Sequence, residues 1–202
     1  AEKKGYSGVG LYCRREPDAV IEGLSIADID TEGRYLEAQF GPLSVISLYL
    51  PSGSSSEERQ QAKFAFMDHF RPHLENLAAS GREIVLVGDW NIAPTDDDVW
   101  DATEFEIYVT EPERAAFNAF GDVGLREMTR NAEGAIYTFW DYQRLRFPKN
   151  EGMRIDFAWG SPGLAERVTA AYIDRNERKG KGASDHVPVV MEIADWTDWV
   201  AD

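Results

Sequence analysis

Ile84-Val85-Leu86-Val87-Gly88-Asp89-Trp90-Asn91 is the stretch on which the reading of this 202-residue chain turns. Four apolar residues, mostly β-branched, fit a strand buried on both faces. Gly88 permits a tight exit from the sheet. Asp89 and Asn91 are two residues apart, so in extended geometry they point to the same side. A carboxylate and an amide at the carboxyl end of a buried strand stand where open α/β sheets place ligand chemistry. Asp and Asn also suit a β-turn, in which they bond their own backbone. This stretch by itself allows both readings.

Two later stretches repeat the pattern of an acid at the edge of an apolar strand. One is Gly152-Met153-Arg154-Ile155-Asp156-Phe157. The other is Ser184-Asp185-His186-Val187-Pro188-Val189-Val190, which adds a histidine. Between and around them, strand and helix signals alternate. Tyr6 to Tyr12 reads as a strand, Pro17 to Gly23 as strand and turn, and Asp30 to Arg34 as a turn. Tyr35 to Phe40 alternates like a half-exposed strand. Leu43 to Leu50 is a buried strand that ends with Tyr49, and a Pro-Gly-Ser loop follows. Ser56 then caps a helix with Glu57 and Glu58 in its first turn. That helix runs to about Ala79, with Phe64, Met67, Phe70 and Leu74 at helical spacing and Pro72 as a possible kink.

His69 and His73 lie four apart on the same helix, a spacing a metal pair could use. No Glu adjoins His69 and no third ligand is near, so both are assigned to a surface face. Pro94 to Thr110 is a long acidic loop over one rim of the site. Its Asp96, Asp97 and Asp98 suit helix capping or solvation better than a cation. Thr110-Glu111-Pro112-Glu113 opens a helix to about Phe120, closed by Gly121 and Gly124. Leu125 to Thr129 is a further short element and Gln143 to Gly152 a loop. Met153 to Trp159 is a strand, Gly163 to Val168 a short helix, and Ala170 to Asp174 and Val187 to Ile193 are strands. No repeat or linker divides the chain, and residues 1–202 read as one domain.

With 43% hydrophobic and 12% aromatic residues the chain can build a core and is not a disordered one. No apolar run reaches membrane-spanning length, and no secretory signal pattern opens the chain. The single Cys13 excludes an internal disulfide and reads as a small buried apolar residue, which fits a reducing cytoplasm. The net charge of -15 argues against a general polyanion binder. Basic residues are nevertheless clustered: Arg144 to Arg154 and Arg175 to Lys181 each hold four bases and one acid, whereas Asp96 to Glu106 holds six acids and no base. Each basic run is either a rim for nucleic acid or ordinary solvated surface.

Six pieces, in this order, carry a resemblance: Gly5-Tyr6-Ser7-Gly8-Val9, Leu48-Tyr49-Leu50-Pro51-Ser52-Gly53, Gly88-Asp89-Trp90-Asn91, Tyr137-Thr138-Phe139-Trp140, Arg154-Ile155-Asp156 and Ser184-Asp185-His186. Together the chain resembles the exonuclease III/AP endonuclease family, within the wider endonuclease–exonuclease–phosphatase fold. The resemblance implies an α/β sandwich of two packed mixed sheets with helices outside. It also implies that the first strand–helix–strand unit is missing, and with it an Asn and the principal metal-binding Glu, so that this chain alone would be poorly active. Met153 stands where many members have Trp.

The implied function is a DNA-repair nuclease that cuts 5′ of abasic sites and trims 3′ ends of duplex DNA, as a monomer in the cytoplasm working at the nucleoid. Asp89 would orient or deprotonate the attacking water, and Asn91 would hold it or the phosphate. His186 would contact the phosphate with Asp156 bonded to its ring, and Tyr49 would place its hydroxyl on the phosphate side. Asp185 would hold Mg²⁺, with Mn²⁺ as a substitute. Phe139, Trp140, Met153 and Ile155 would form the apolar wedge and sugar pocket, and Tyr6 and Arg34 would touch the DNA. Weak, salt-dependent DNA binding would fall to Lys3, Lys4, Arg144, Arg146, Lys149 and the Arg175–Lys181 run. A non-catalytic binding relative on the same fold, and a phosphatase of lipid or inositol phosphates, are the alternatives.

Overall fold

The computed structural model describes residues 6–54 and 56–194, apart from the side chains of residues 27 and 28. Strands β1 (Ala19–Glu22), β2 (Tyr35–Phe40) and β3 (Leu43–Tyr49) form an antiparallel meander. Next to β3 lies β4 (Glu83–Asp89), parallel to it, so the connection must cross over. It does so through the long helix α2 (Glu57–Ala79). Two further strands, β5 (Arg126–Glu127) and β7 (Asp156–Gly160), complete a six-stranded sheet in the order β1-β2-β3-β4-β7-β5. A second, three-stranded sheet has the order β6-β8-β9, from β6 (Glu133–Gly134), β8 (Val168–Ile173) and β9 (Val189–Ile193). The shorter helices are α1 (Ala27–Asp30), α3 (Glu111–Ala119), α4 (Arg146–Lys149) and α5 (Pro162–Ala165).

The period of two along β4 sets the layers. Ile84 and Leu86 face a core shared with Phe66, Met67, Phe70 and Leu74 of α2 and with Phe117 and Phe120 at α3. Val85 and Val87 face the other way, into a core shared with Val168, Met191 and Ile193 of the small sheet. The central strand is therefore covered on both faces, as its unbroken apolar run requires. The two mixed sheets pack together, with α2 and α3 on the outer side of the large one.

Local chemistry fixes the ends. Ser56 accepts a hydrogen bond from the Arg59 amide at the start of α2. Thr110 and Glu113 close a reciprocal capping box at α3. Pro72 lies inside α2 on its solvent face, where the Asp68 carbonyl left without an amide donor can bond water, and the helix continues through it. No described helix is long and apolar enough to cross a membrane.

Several expectations are corrected. Residues 6–12 have no strand neighbour among the described residues, and an extended segment without one has no ladder. Cys13, beyond that segment, is exposed rather than buried. His69 is exposed, but His73 is not a surface residue: its Nε2 lies 2.9 Å from the Tyr35 hydroxyl, which donates to the buried Glu37. Strand β7 begins at Asp156 rather than Met153, α5 ends at Ala165, and a one-turn helix, α4, interrupts the loop expected over 143–152. Lys3, Lys4 and the Trp-containing tail from Asp195 lie outside the described residues.

Gly88 faces Leu48 across the parallel pair, and a Cβ on it would lie 1.9 Å from the Leu48 carbonyl oxygen. Backbone cannot yield as a side-chain tip can. Gly88→Ala is expected to cost about 3 kcal/mol, at the upper end of overpacking penalties. Urea unfolding checks this: the midpoint should fall with the slope unchanged.

Candidate active site

Strand register builds the centre. Tyr49 pairs with Asp89 across β3 and β4, and Asp89 pairs with Asp156 across β4 and β7. Three side chains from distant parts of the sequence therefore stand in one row at the strand ends of the large sheet. Beyond Asp89 the chain turns. Asn91 has φ 49°, in the left-handed region, rather than the extended geometry expected. Its amide N–H donates to Asp89 Oδ1 at 2.8 Å, and its side-chain Nδ2 donates to Leu50 O at 2.9 Å and to Asp89 Oδ2 at 3.3 Å. The turn and ligand-site readings of this stretch are thus compatible: the local Asp–Asn bonding is what holds the carboxylate toward Asp156.

The second sheet's approach delivers the histidine. Phe139 bridges Met153 on one side and His186 on the other. Thr138 is fully buried and has a double role that nothing in the sequence signals. Its hydroxyl oxygen accepts from the Ile155 and Asp156 amides at 3.1 and 3.3 Å, while its carbonyl accepts from the Val187 amide at 2.8 Å. One residue so ties the Asp156 segment to the His186 segment. His186 Nδ1 then lies 2.9 Å from Asp156 Oδ2, the expected contact, and Nε2 lies 3.9 Å from Asp89 Oδ2.

Charges in this cluster oppose and compensate one another. Burial, and after it the neighbouring Asp156 carboxylate, push Asp89 well above the ordinary carboxylate range, against the pull of His186 and the Asn91 amide. Burial works against a charged His186. Asp156, by charge and hydrogen bond, with Asp89 and Asp185 after it, outweighs that and raises the ring to about 9. Tyr49 is also raised, by burial first and then by Asp89, although the Arg34 guanidinium sits 4.7 Å over its ring.

Asp89, Asp156 and His186 bring one ligand atom each within 4.8 Å of one another. Asp185, expected to hold the metal, is not part of that trio. Its backbone carbonyl accepts from the Trp140 amide, and its carboxylate acts on His186 through space. Two crowded carboxylates, one of them destabilised as an anion, are a donor set that fits a hard divalent cation.

The remaining sequence candidates divide. Tyr6 and Arg34 line one cleft with Glu32, Ser52, Arg59 and His69, and the Arg59 guanidinium donates to the Tyr6 hydroxyl at 3.2 Å. Phe139 lies half-buried with its ring 5.0 Å from the His186 ring. Met153 and Ile155 pack with Ala93 and Val99 beneath it. Trp140 has no exposed surface: it is packed edge-on against Tyr137 and Phe147, so it supports the wall rather than forming it. Arg154 is buried too and donates to the Thr129 and Arg130 carbonyls. Lys63 and Glu113, a buried ion pair beside Asn91, escape a sequence reading because a lone Lys on an amphipathic helix reads as solvated.

Comparison with known proteins bears on the family and the fold. The Endonuclease/Exonuclease/phosphatase family profile matches residues 1–186. The chain is 31% identical over 209 residues to exodeoxyribonuclease III of Haemophilus influenzae, covering 95% of this chain and 78% of that protein. It is 30% identical over 199 residues to an exodeoxyribonuclease of Bacillus subtilis, covering 96% and 77%. Among solved structures, a Neisseria 3′ phosphatase bound to a product DNA hairpin superposes with a TM-score of 0.81 at 30% identity, covering 89% of this chain and 72% of that one. An AP endonuclease from Archaeoglobus fulgidus superposes with a TM-score of 0.80 at 29% identity over the same shares.

The ion pair at His186 makes a spectroscopic prediction. In metal-free protein with EDTA, its ring should remain protonated to about pH 9. Asp156→Asn removes the hydrogen-bonded anion and should bring the titration down toward or below the ordinary 6.5. The check is an NMR titration of the His186 ring signals, in which equal midpoints for the two proteins would contradict the pairing.

Proposed function

The chain belongs to the endonuclease/exonuclease/phosphatase family, and on that premise we propose that it is a metal-assisted DNA-repair nuclease of the exonuclease III/AP endonuclease type. It hydrolyses phosphodiester bonds 5′ of abasic sites and trims 3′ ends of duplex DNA, as a monomer acting on chromosomal DNA in the cytoplasm. The observation that supports this most is the meeting of Asp89, Asp156 and His186 at the ends of strands, with Asn91 and Tyr49 beside them.

Each residue has a task that its position suits. Asp89 takes a proton from the attacking water or orients it, a role favoured by a carboxylate raised toward neutral pH. Asn91, already bonded to Asp89, fixes the direction of that carboxylate. His186 presents a charged Nε2 to a phosphate oxygen, and Asp156 holds the ring through Nδ1. Tyr49, with the Arg34 guanidinium over its ring, would offer its hydroxyl to the phosphate. Mg²⁺, or Mn²⁺ in its place, would neutralise charge on the phosphate oxygens; Asp89 and Asp156 offer the nearest oxygens to hold it, with Asp185 as a further carboxylate. Phe139, over Met153 and Ile155, offers an apolar wall to a base-free sugar.

DNA contact draws on fewer cations than the sequence suggests. Arg146 is paired with Glu151 and lies over the Trp100 ring, and Arg175 lies over Phe147. Arg144, Lys179 and Lys181 are exposed, and Arg59 lines the cleft with Tyr6 and Arg34. With a net charge of -15, binding is weak and salt-dependent.

Two experiments test this. Incision of an abasic-site duplex and trimming of a 3′ end should require Mg²⁺ or Mn²⁺ and stop with EDTA. Asp89→Asn and His186→Ala should each lower kcat by about 10²–10⁴-fold; cleavage that survives both would remove the mechanism. Titration of duplex DNA across salt concentrations should show log affinity falling with a slope of roughly -3 to -5, as for a handful of phosphate contacts. An affinity indifferent to salt would contradict the phosphate-contact picture.

A further inference from the structure

Lys63 and Glu113 are an ion pair whose two side chains are each 0% exposed. The Lys63 ammonium donates to the Asn91 carbonyl at 2.8 Å and to Glu113 Oε1, and reaches the Ser52 carbonyl at 3.5 Å. Glu113 Oε2 accepts from the Thr110 amide at 3.1 Å and its hydroxyl at 2.8 Å. A buried ion pair is poor evidence for stability, because desolvating two charges offsets much of their attraction, and apolar pairs of similar volume often fold as well or better. Core packing alone does not call for this pair.

Its contacts suggest what does. Ser52 belongs to the loop that leaves β3 after Tyr49, and Asn91 to the turn that leaves β4 after Asp89. One ammonium therefore joins the exits of the two strands that carry the site. Asn91 occupies a left-handed conformation, which Asn tolerates better than other non-glycine residues but which its surroundings still have to select. Lys63 grips the carbonyl side of that residue, while Leu50 and Asp89 hold its side chain.

We propose that Lys63, held by Glu113, is a positioning residue for the active site: its bond to the Asn91 carbonyl keeps the Asn91 side chain aimed at Asp89. Lys63 touches neither substrate nor reacting atoms, so its effect falls on the chemical step rather than on DNA binding. This rests on the nuclease reading of the Asp89 centre.

The test is the double substitution Lys63→Met/Glu113→Gln. It removes the ammonium without stranding a buried carboxylate, and the amide oxygen of the new side chain at position 113 can still accept from Thr110. Expected are a thermal midpoint within a few degrees of the parent, kcat on an abasic duplex lowered about 10- to 100-fold, and KM changed less than about 3-fold. The Asn91 side-chain amide signals, seen by NMR in the folded protein, should shift and broaden. Parental kcat with parental Asn91 signals would overturn the proposal, as would a loss confined to KM. If the parent cleaves no phosphodiester, the nuclease reading fails instead, and the Asn91 signals alone decide the positioning claim: unmoved signals overturn it. If the double variant does not fold, the parent decides, by the scalar coupling across the Lys63 Nζ to Asn91 carbonyl bond; its absence overturns the proposal.

Discussion

Three strands lie in register so that Tyr49, Asp89 and Asp156 stand in one row, and every other feature of the site depends on that alignment. A shift of one residue in either pairing would turn a carboxylate to the opposite face of the sheet. The register of β3 against β4 is pinned where Leu48 meets Gly88, since only a residue without Cβ clears the Leu48 carbonyl. It is pinned again by the alternation of Ile84 and Leu86 toward the helices against Val85 and Val87 toward the small sheet. The apolar pattern that builds the core therefore also aims the acids.

Setting Asp89 opposite Asp156 is costly. Their oxygens come within 4.8 Å of each other, and two like charges at such a separation repel by roughly 3–4 kcal/mol at the effective dielectric of a protein near its surface. The fold answers with two cations that arrive from elsewhere. His186, guided by Thr138 and Phe139, supplies one at the open side. Lys63 supplies the other from beneath, where its charge also reaches Asp89. A net charge of -15 makes this local compensation more necessary, because the surrounding surface adds negative potential.

How much of this is legible in the sequence depends on the range of the interactions involved. Helix α2 is readable at both ends because its signals are local: Ser56 as cap, two acids in the first turn, and apolar residues at helical spacing. The same holds for α3 and its Thr110–Glu113 box. The meeting of Asp89, Asp156 and His186 is legible through resemblance, since no periodicity brings residues so far apart together. The failures share a cause. Tyr6 to Tyr12 has a strand's composition but no neighbour among the described residues, and pairing is a property of two segments. Trp140 and Phe139 are adjacent aromatics that look alike in sequence, yet one is wholly buried and the other faces His186. Lys63 looks solvated until Glu113, fifty positions away, is placed beside it.

On the proposed reading of the centre, activity and stability make opposite demands on Asp89. Burial and Asp156 raise Asp89 in the folded state, so the folded chain favours its protonated form. A carboxyl raised on folding leaves stability undiminished below 3.8, its ordinary value, and lowers it as pH rises through the folded value. Asp89→Asn carries no charge to penalise and can still accept from the Asn91 amide. It should therefore be more stable than the parent by roughly 1 kcal/mol at pH 8, as substitutions at strained functional sites often are, and the difference should close toward pH 4. Urea unfolding at both pH values in EDTA measures it. A variant less stable at pH 8 would mean that the Asp89 carboxylate is held in the fold by attraction to His186 and Lys63 rather than tolerated for its chemistry, and a gain that persists unchanged at acid pH would mean that ionisation of Asp89 is not its source.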